Sequence, residues 1–180
     1  MEKTVTKIAI IGAESTGKSY ICKHLAKKYK TLFVKEYARE YLSNLNSSYN
    51  YNDLEKIAIH QLEKEKEAIN QKQKIVFFDT SLLTIKIWSN FKYNKCSSFI
   101  IKNCENRKHD LYIVCNNDIK WEKDPLRESK NKRDEIFNKN IKEVEKENFA
   151  VLEGTGLKRI KMAEKICEDF LKSKKQSIIN

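Results

Sequence analysis

Five short apolar runs divide the chain, and each is continuous rather than alternating with polar residues. Continuous runs of this kind are typical of strands that are buried on both faces, as in parallel sheets covered by helices. We therefore predict five buried strands. They cover residues 8–11, 32–34, 75–78, 111–115 and 149–152.

Between these runs, apolar residues recur with the 3.6-residue period of amphipathic helices. The predicted helices cover residues 19–29, 53–72, 81–93, 134–147 and 157–172, and Ser81 is a plausible N-cap. The last residues, 172–180, are predicted to fray. Because strands and helices alternate without a repeat or a linker, we predict a single α/β domain over residues 1–180 with a mostly parallel sheet.

The first predicted strand runs into a glycine-rich loop that matches the pattern G-x-x-x-x-G-K-[ST]. Such a loop holds phosphates because its backbone N–H groups point into one concavity and the following helix adds its N-terminal N–H groups. The lysine can reach the β- and γ-phosphates of ATP, and the serine hydroxyl can bind Mg²⁺. The predicted nucleotide-binding residues here are Gly12, Ala13, Glu14, Ser15, Thr16, Gly17, Lys18, Ser19 and Tyr20.

Two carboxylates follow other predicted strands. Asp79 closes the run IVFFD, as in a Walker B strand, and Glu36 follows LFVK. We assign Asp79 to Mg²⁺ and Glu36 to the catalytic base or a substrate anchor, although the two roles are interchangeable on sequence grounds. The structural alternatives are a helix cap for Asp79 and a surface ion pair with Arg39 for Glu36.

A second pair of glycines, in the sequence EGTG, follows the fifth strand, so Gly154 and Thr155 are candidate contacts to adenine. On the helix over 53–72, Gln61 and Glu65 fall on the apolar stripe. Polar groups on a buried face need hydrogen-bond partners. They either line a pocket or form hydrogen bonds within the core.

The segment after the fourth strand, residues 120–135, is polar and basic and contains the single proline, Pro125. We call this segment the lid, because kinases close a basic segment of this kind over the phosphates. Arg127 and Arg133 are its candidate catalytic residues. Trp121 either stacks on a substrate ring or serves as a packing anchor. The alternative for the whole segment is an ordinary solvated loop.

Composition restricts the function classes. The net charge is +11, but lysines alternate with glutamates along the helices, which favours solvated surfaces over a nucleic-acid interface. The five scattered cysteines form no C-x-x-C pair, so neither a disulfide framework nor a zinc site is expected. No apolar run or signal-peptide pattern indicates a membrane partner, and a cytoplasmic location is the default expectation.

These motifs, taken together in chain order, resemble the ribosylnicotinamide kinase domain of NadR-type NAD-biosynthesis proteins, within an AAA-like ATP-binding domain family. The stretches that carry the resemblance are GAESTGKS, EYARE, a helix with HQ, FFDTSLLT, NN-x-x-x-W after a strand, and a D-x-x-R lid. The resemblance spans residues 5–171. It implies a three-layer P-loop kinase fold and the reaction of ATP with nicotinamide riboside to give nicotinamide mononucleotide and ADP.

The resemblance also implies residue roles: acids at Glu36 and Asp79, and substrate contacts at Tyr37, Arg39, Gln61 and Trp121. The chain departs from the family at Ser81, where an acidic residue is common, and at Pro125, where glycine is common. Larger members carry an N-terminal helix-turn-helix and an adenylyltransferase domain. Since only seven residues precede the first apolar run, we expect neither domain here.

Three functions are consistent with these features. The first is phosphorylation of nicotinamide riboside with ATP and Mg²⁺. The second is another nucleoside, nucleotide or small-metabolite kinase on the same scaffold. The third is an NTP-dependent switch or a nucleic-acid-associated NTPase, which would use the positive charge and show steeply salt-dependent binding to DNA or RNA.

Overall fold

The chain folds into one five-stranded parallel sheet. The computed structural model describes residues 5–45 and 47–179, with side-chain burial as far as residue 176. The strands are β1 (Thr6–Gly12), β2 (Leu32–Val34), β3 (Ile75–Asp79), β4 (Leu111–Cys115) and β5 (Phe149–Leu152). They lie in the order β2-β3-β1-β4-β5, and every neighbouring pair is parallel. The predicted α/β class and five-stranded parallel sheet are therefore confirmed.

Helices connect the strands and cover both faces of the sheet. They are α1 (Lys18–Lys28), α2 (Tyr37–Ser43), α3 (Tyr51–Asn70), α4 (Leu82–Tyr93), α5 (Ser98–Asn106), α6 (Arg133–Val144) and α7 (Gly156–Ile179), with a 3₁₀ turn at Lys130–Lys132. All five predicted helices are present, and the Ser81 hydroxyl caps α4 by accepting the N–H of Leu83. The prediction missed α2 and α5. None of the helices in the described part of the chain combines the length and the apolar character needed to cross a bilayer.

The continuous apolar runs arise because each face of the sheet packs against its own layer of helices. In β1, Ile8 and Ile10 belong to a core cluster with side chains of α1 and α7. The alternate residues, Ala9 and Ile11, belong to a second cluster with side chains of α3, α4 and α6. Successive strand residues point to opposite faces, so a strand covered on both faces has no position left for a polar side chain. The result is a three-layer sandwich.

A smaller apolar cluster lies beside the sheet, where α3, α4 and α5 pack together. Its buried members include Leu54, Ile57, Ile85 and Ile100. Side chains of α2 pack against it from outside, although none of the residues of α2 is itself buried. Three residues of the cluster, Leu54, Ile57 and Ile85, also line a cavity.

At the C-terminus, α7 continues through the tail that was predicted to fray and ends at Ile179. Asn180 lies outside the described residues. Within this tail, the ammonium group of Lys174 lies 2.7 Å from a carboxylate oxygen of Asp110 and 3.2 Å from the hydroxyl of Thr6. These contacts attach the end of the helix to the amino-terminal edge of the sheet, which explains why the helical conformation persists.

Candidate functional site

A cavity of about 750 Å³ opens at the carboxyl ends of the central strands. The whole predicted phosphate loop, residues 12–20, lines one end of this cavity. The other end is lined by side chains of α2, α3 and α4, among them Glu36 and Arg39 at the start of α2. Open α/β sheets bind ligands at this edge because the loops on either side of the central strand diverge there. The geometry therefore provides a phosphate end and an acceptor end in one cavity.

The phosphate loop takes its shape from glycines at its two ends. Gly12 closes β1 with a φ of +136°, and a Cβ there would lie 2.8 Å from the carbonyl oxygen of Cys115. Gly17, with a φ of +76°, directly precedes α1. Inside the loop, the carbonyl oxygen of Ala13 accepts hydrogen bonds from the Thr16 hydroxyl at 2.8 Å and from the Lys18 ammonium group at 2.7 Å. The Lys18 charge is thus held within the loop that would receive phosphate.

Two predicted acids lie near this charge. Glu36 lines the cavity just before α2, and Asp79 ends β3 with 4% of its surface exposed. Burial raises the pKa of both carboxyl groups, and the nearby Lys18 ammonium opposes the rise in each; a hydrogen bond with Ser19 also opposes the pKa rise of Asp79. The structure brings Glu36, Asp79, Lys18 and Ser19 together, as the positions of their strands and loops predicted.

The residues present fit a magnesium ion. Mg²⁺ prefers hard oxygen ligands, and the Ser19 hydroxyl and the Asp79 carboxylate supply them side by side. The second carboxylate oxygen of Asp79, Oδ1, is buried and has no hydrogen-bond partner among the described residues. A buried carboxylate oxygen is costly to leave unpaired, so an ion or its bound water would satisfy it.

The lid closes over the phosphate loop through several hydrogen bonds. The guanidinium group of Arg127 donates to the Ser15 hydroxyl at 3.3 Å, and that of Arg133 donates to the Ser15 carbonyl oxygen at 3.0 Å. The carboxylate of Glu14 accepts the backbone N–H of Ser129 at 2.9 Å and also a hydrogen bond from the Ser129 hydroxyl. Both predicted lid arginines therefore contact the loop, and Arg127 also lines the cavity.

The lid also contacts residues at the acceptor end. These contacts are made by two acidic side chains, although the segment was predicted to act through its basic ones. Asp124 forms an ion pair with Arg39 of α2 at 2.8 Å. Glu128 accepts a hydrogen bond from the Tyr49 hydroxyl at 2.6 Å and pairs with Lys92 of α4 at 3.0 Å. Arg39 therefore forms its ion pair with the lid. The structure does not show, among the residues it describes, the ion pair between Glu36 and Arg39 that was the structural alternative for Glu36.

The aromatic side chains at the acceptor end differ from the predicted one. Tyr49 and Trp88 line the cavity there. Trp121 is not among the described residues that line it; its ring lies about 6 Å from the guanidinium groups of Arg127 and Arg133. The sequence pattern did not single out Trp88, because at helical spacing in α4 it resembles an ordinary core residue.

Six further predicted residues are not among the described residues that line the cavity: Tyr37, Gln61, Asp79, Arg133, Gly154 and Thr155. The ring of Tyr37 packs beside His60 of α3, with ring centroids 5.1 Å apart. Gln61 accepts the backbone N–H of Tyr37 within the core. In the loop after β5, Gly154 donates its N–H to Asp118, and Thr155 is exposed.

A residue that the sequence analysis missed, Arg159 of α7, connects the loops of the phosphate end. Its side chain is almost fully buried, with 2% of the residue exposed, and it lines the cavity. The guanidinium group donates to the carbonyl oxygens of Thr16, Asn116 and Gly154, and it pairs with Asp118 at 2.7 Å. The available signal was an arginine on the predicted buried stripe of α7, next to Ile160.

Glu65 of α3 is the second polar residue on the apolar stripe and is 4% exposed. Burial raises its pKa to about 7, and a hydrogen bond with Gln61 opposes the rise. Folding therefore favours the neutral acid, and the ionised form costs stability as the pH rises from 4.5, the ordinary value, towards 7.

We expect Glu65→Gln to raise the free energy of unfolding by about 3 kcal/mol at pH 8, since a 2.5-unit pKa difference corresponds to that energy. Below pH 4.5 the carboxyl group is protonated in the folded and unfolded states alike, so the variant and the wild type should have similar stability there. Urea denaturation at pH 4 and pH 8 measures both values. Glu67→Gln, an exposed change on the same helix, is the matched control; an equal gain in the control would contradict the prediction.

Comparison with known proteins gives a family and a fold for this chain. A family model described as an AAA domain matches residues 7–156. The trifunctional NAD biosynthesis/regulator protein NadR of Salmonella typhimurium is 30% identical over 127 residues, which are 68% of this chain and 31% of that protein. The chain thus spans about a third of the length of this curated relative.

Solved structures show the same fold. The crystal structure of NadR protein in complex with NR superposes with a TM-score of 0.78 at 18% identity, over 93% of this chain and 50% of that one. Thymidylate kinase from Ehrlichia chaffeensis superposes with a TM-score of 0.64 at 13% identity, over 91% of this chain and 97% of that one.

Proposed function

Because this chain belongs to the AAA domain family, we propose that it is an ATP-dependent kinase that phosphorylates the 5′-hydroxyl of nicotinamide riboside. The products would be nicotinamide mononucleotide and ADP. One observation carries the proposal: the phosphate loop with Lys18 and the nearby carboxylate of Glu36 line the same cavity, together with the aromatic side chains of Tyr49 and Trp88. A transferable phosphate and an alcohol can therefore meet between them.

At the phosphate end, the chain supplies positive charge where negative charge develops during transfer. Lys18 lies in the loop, and Arg127 of the lid reaches the same loop from above. Fixed cations in a closed site stabilise the transferring phosphoryl group without reorganising during the reaction. Ser19 and Asp79 would hold Mg²⁺, which neutralises phosphate charge when bound.

At the acceptor end, Glu36 is the best-placed base. Its carboxylate lines the cavity, whereas Asp79 lies deeper beside Ser19. Because burial raises the pKa of Glu36, its carboxylate is a stronger proton acceptor than an exposed glutamate. We propose that Glu36 accepts a hydrogen bond from the 5′-hydroxyl, orients its oxygen towards the γ-phosphate and takes its proton.

The chemistry of nicotinamide riboside suits this pocket, since its pyridinium ring is aromatic and positively charged. Aromatic faces attract such a ring through their quadrupole, and Trp88 provides one in the cavity lining. Tyr49 also lines the cavity, but one face of its ring already carries the Lys92 ammonium group, 3.8 Å from the centroid. Glu36 supplies negative charge on the same wall. The relative that shares 30% identity is named for NAD biosynthesis, and the solved NadR structure contains NR, which supports this acceptor.

A panel of acceptors tests the proposal. Purified protein with Mg²⁺ and ATP should form ADP on addition of nicotinamide riboside, faster than with thymidine, adenosine or thiamine. Mass spectrometry should find nicotinamide mononucleotide as the second product. Equal turnover of all acceptors, or none of the riboside, would refute the assigned substrate. Rapid ADP formation without any acceptor would favour an NTP-dependent switch instead.

A nucleotide acceptor is the second candidate, and Arg39 favours it. Its guanidinium group lies at the acceptor end of the cavity and could pair with the phosphate of a nucleoside monophosphate. Thymidylate kinase has the same fold. Nucleoside monophosphates in the acceptor panel distinguish the two candidates, because a nucleotide kinase would prefer them over the corresponding nucleosides.

Trp88→Ala should raise the KM for the acceptor about 10-fold, since a cation–π contact of 1–2 kcal/mol is removed, and should leave the KM for ATP near its wild-type value. Trp88→Phe keeps an aromatic face and should restore most of the affinity. Steady-state kinetics with each substrate varied in turn measure both constants. Trp121→Ala is the comparison variant. If the acceptor KM rises more in Trp121→Ala than in Trp88→Ala, Trp121 rather than Trp88 contacts the substrate.

A further inference from the structure

Helix α2 begins directly after Glu36, and its first turn is fixed from outside the helix. The Glu36 side chain makes no capping hydrogen bond to α2. Instead, the backbone N–H of Tyr37 donates to the side-chain Oε1 of Gln61, on α3, at 2.9 Å. Gln61 is 2% exposed. A buried amide on a neighbouring helix therefore satisfies a free N–H group at the residue that follows the proposed base.

A second hydrogen bond fixes the orientation of this amide. Because its oxygen accepts from Tyr37, the amide nitrogen of Gln61 must face the other way, and it donates to Glu65 one helical turn later at 3.3 Å. Both side chains are buried on the apolar stripe of α3. The result is a buried chain of hydrogen bonds that runs from Glu65 through Gln61 to the backbone beside Glu36.

These hydrogen bonds matter because α2 has few stabilising contacts of its own. It has seven residues, and none of them is buried. A helix of this length depends on tertiary contacts to persist. The other polar anchors lie further along it, where Arg39 pairs with Asp124 of the lid at 2.8 Å, Glu40 pairs with Lys64 at 3.1 Å and the Tyr41 hydroxyl donates to Asp53 at 2.8 Å. The hydrogen bond from Tyr37 to Gln61 is the polar contact nearest to Glu36.

Resting on the function proposed above, we propose that Gln61 and Glu65 are positioning residues for phosphoryl transfer, which hold the Glu36 carboxylate in the cavity by fixing the start of α2. Neither residue lines the cavity, so neither touches the substrates. This role differs from the substrate contact that the family resemblance implied for Gln61. Displacement of a reacting group by about 1 Å can cost about 100-fold in rate, which sets the scale of the effect.

The test compares Gln61→Leu, Glu65→Leu and Glu65→Gln with the control Gln71→Leu, an exposed change at the C-terminal end of α3. Gln61→Leu should lower kcat about 10- to 100-fold and keep the KM for ATP and for the acceptor within about twofold. Glu65→Leu should lower kcat in the same direction. Glu65→Gln keeps an oxygen that accepts from Gln61 and should retain most of the wild-type kcat, as should the control.

A double-mutant cycle with Glu36→Gln separates positioning from general structural support. If Gln61 acts through Glu36, Gln61→Leu should have little further effect on kcat when Glu36 is already replaced. Additive losses would overturn the inference, as would a raised acceptor KM at unchanged kcat, which is the result expected of a substrate contact. If Gln61→Leu fails to fold by circular dichroism, the Glu65→Leu and Glu65→Gln pair is used in the same cycle.

The activity of the wild type separates a failure of the proposed function from a failure of the proposed role of Gln61. A wild type that phosphorylates none of the acceptors refutes the proposed function and, with it, the role of Gln61. An active wild type with additive losses refutes the role of Gln61 alone. Circular dichroism and thermal unfolding of each variant confirm that the compared proteins are folded.

Discussion

Lys18→Ala should lower kcat at least about 1,000-fold, because it removes the one cation that the structure holds inside the phosphate loop. The Lys18 ammonium group lies 2.7 Å from the carbonyl oxygen of Ala13, within the loop that would surround the β- and γ-phosphates. Arg127 and Arg133 approach the loop only from the lid. Neither guanidinium group occupies the position of the Lys18 ammonium group beside the Ala13 carbonyl oxygen. ADP release in the presence of the acceptor measures the loss.

The folding cost of this change should be small. One partly buried hydrogen bond is lost, worth about 1 kcal/mol, and with it the attraction of Lys18 to the Glu36 and Asp79 carboxylates. Lys23→Ala is the matched control, since it removes the same charge from the exposed face of the same helix. The control should keep wild-type kinetics. If Lys18→Ala retained a tenth or more of the wild-type kcat, we would conclude that the phosphate loop does not take part in phosphoryl transfer.

The sheet and the phosphate end were predictable because local sequence determines both. Runs such as IAII and IVFFD are typical of strands covered on both faces, and each ends at the edge where the ligand cavity forms. The spacing of Gly12, Gly17 and Lys18 follows from the backbone geometry of a phosphate loop. Strand order then brings Asp79 beside the loop, since β3 is paired directly with β1.

The acceptor end was less predictable, because its residues meet only through packing between helices. Trp88 and Leu54 lie on different helices, and nothing in their local sequence indicates that both face one cavity. The short helix α2 has no buried residue, so its apolar period is too weak to detect. Trp121 was the more conspicuous aromatic because a tryptophan in a polar segment is unusual, yet it packs beside two arginines of the lid.

Gln61 and Glu65 illustrate the same limit. Sequence periodicity placed both on the apolar stripe of α3 and left two interpretations, a pocket lining or a buried hydrogen-bond pair. The distinction depends on which group of another element comes within reach, and the structure shows that this is the backbone N–H of Tyr37. A contact across more than twenty residues of sequence cannot be read from the period of one helix.

Asp79→Asn should lower kcat about 100- to 10,000-fold without loss of fold. Asparagine has nearly the same shape, but it carries no charge to hold Mg²⁺ beside Ser19. Stability should not fall, because burial raises the pKa of Asp79 and the ionised carboxylate is therefore a cost to the folded state. Reduced turnover combined with equal or higher resistance to urea at pH 7 would show that the charge serves function rather than folding.

A magnesium titration distinguishes this role from that of Glu36. If Asp79 holds the ion, Asp79→Asn should need a higher Mg²⁺ concentration for half-maximal activity. Glu36→Gln should lower kcat at an unchanged Mg²⁺ requirement, because Glu36 faces the acceptor end of the cavity. The opposite pattern would exchange the two roles, placing the metal at α2 and the base at the end of β3. Unchanged kcat in Asp79→Asn would exclude Asp79 from both, and its burial would then reflect a structural role beside Ser19.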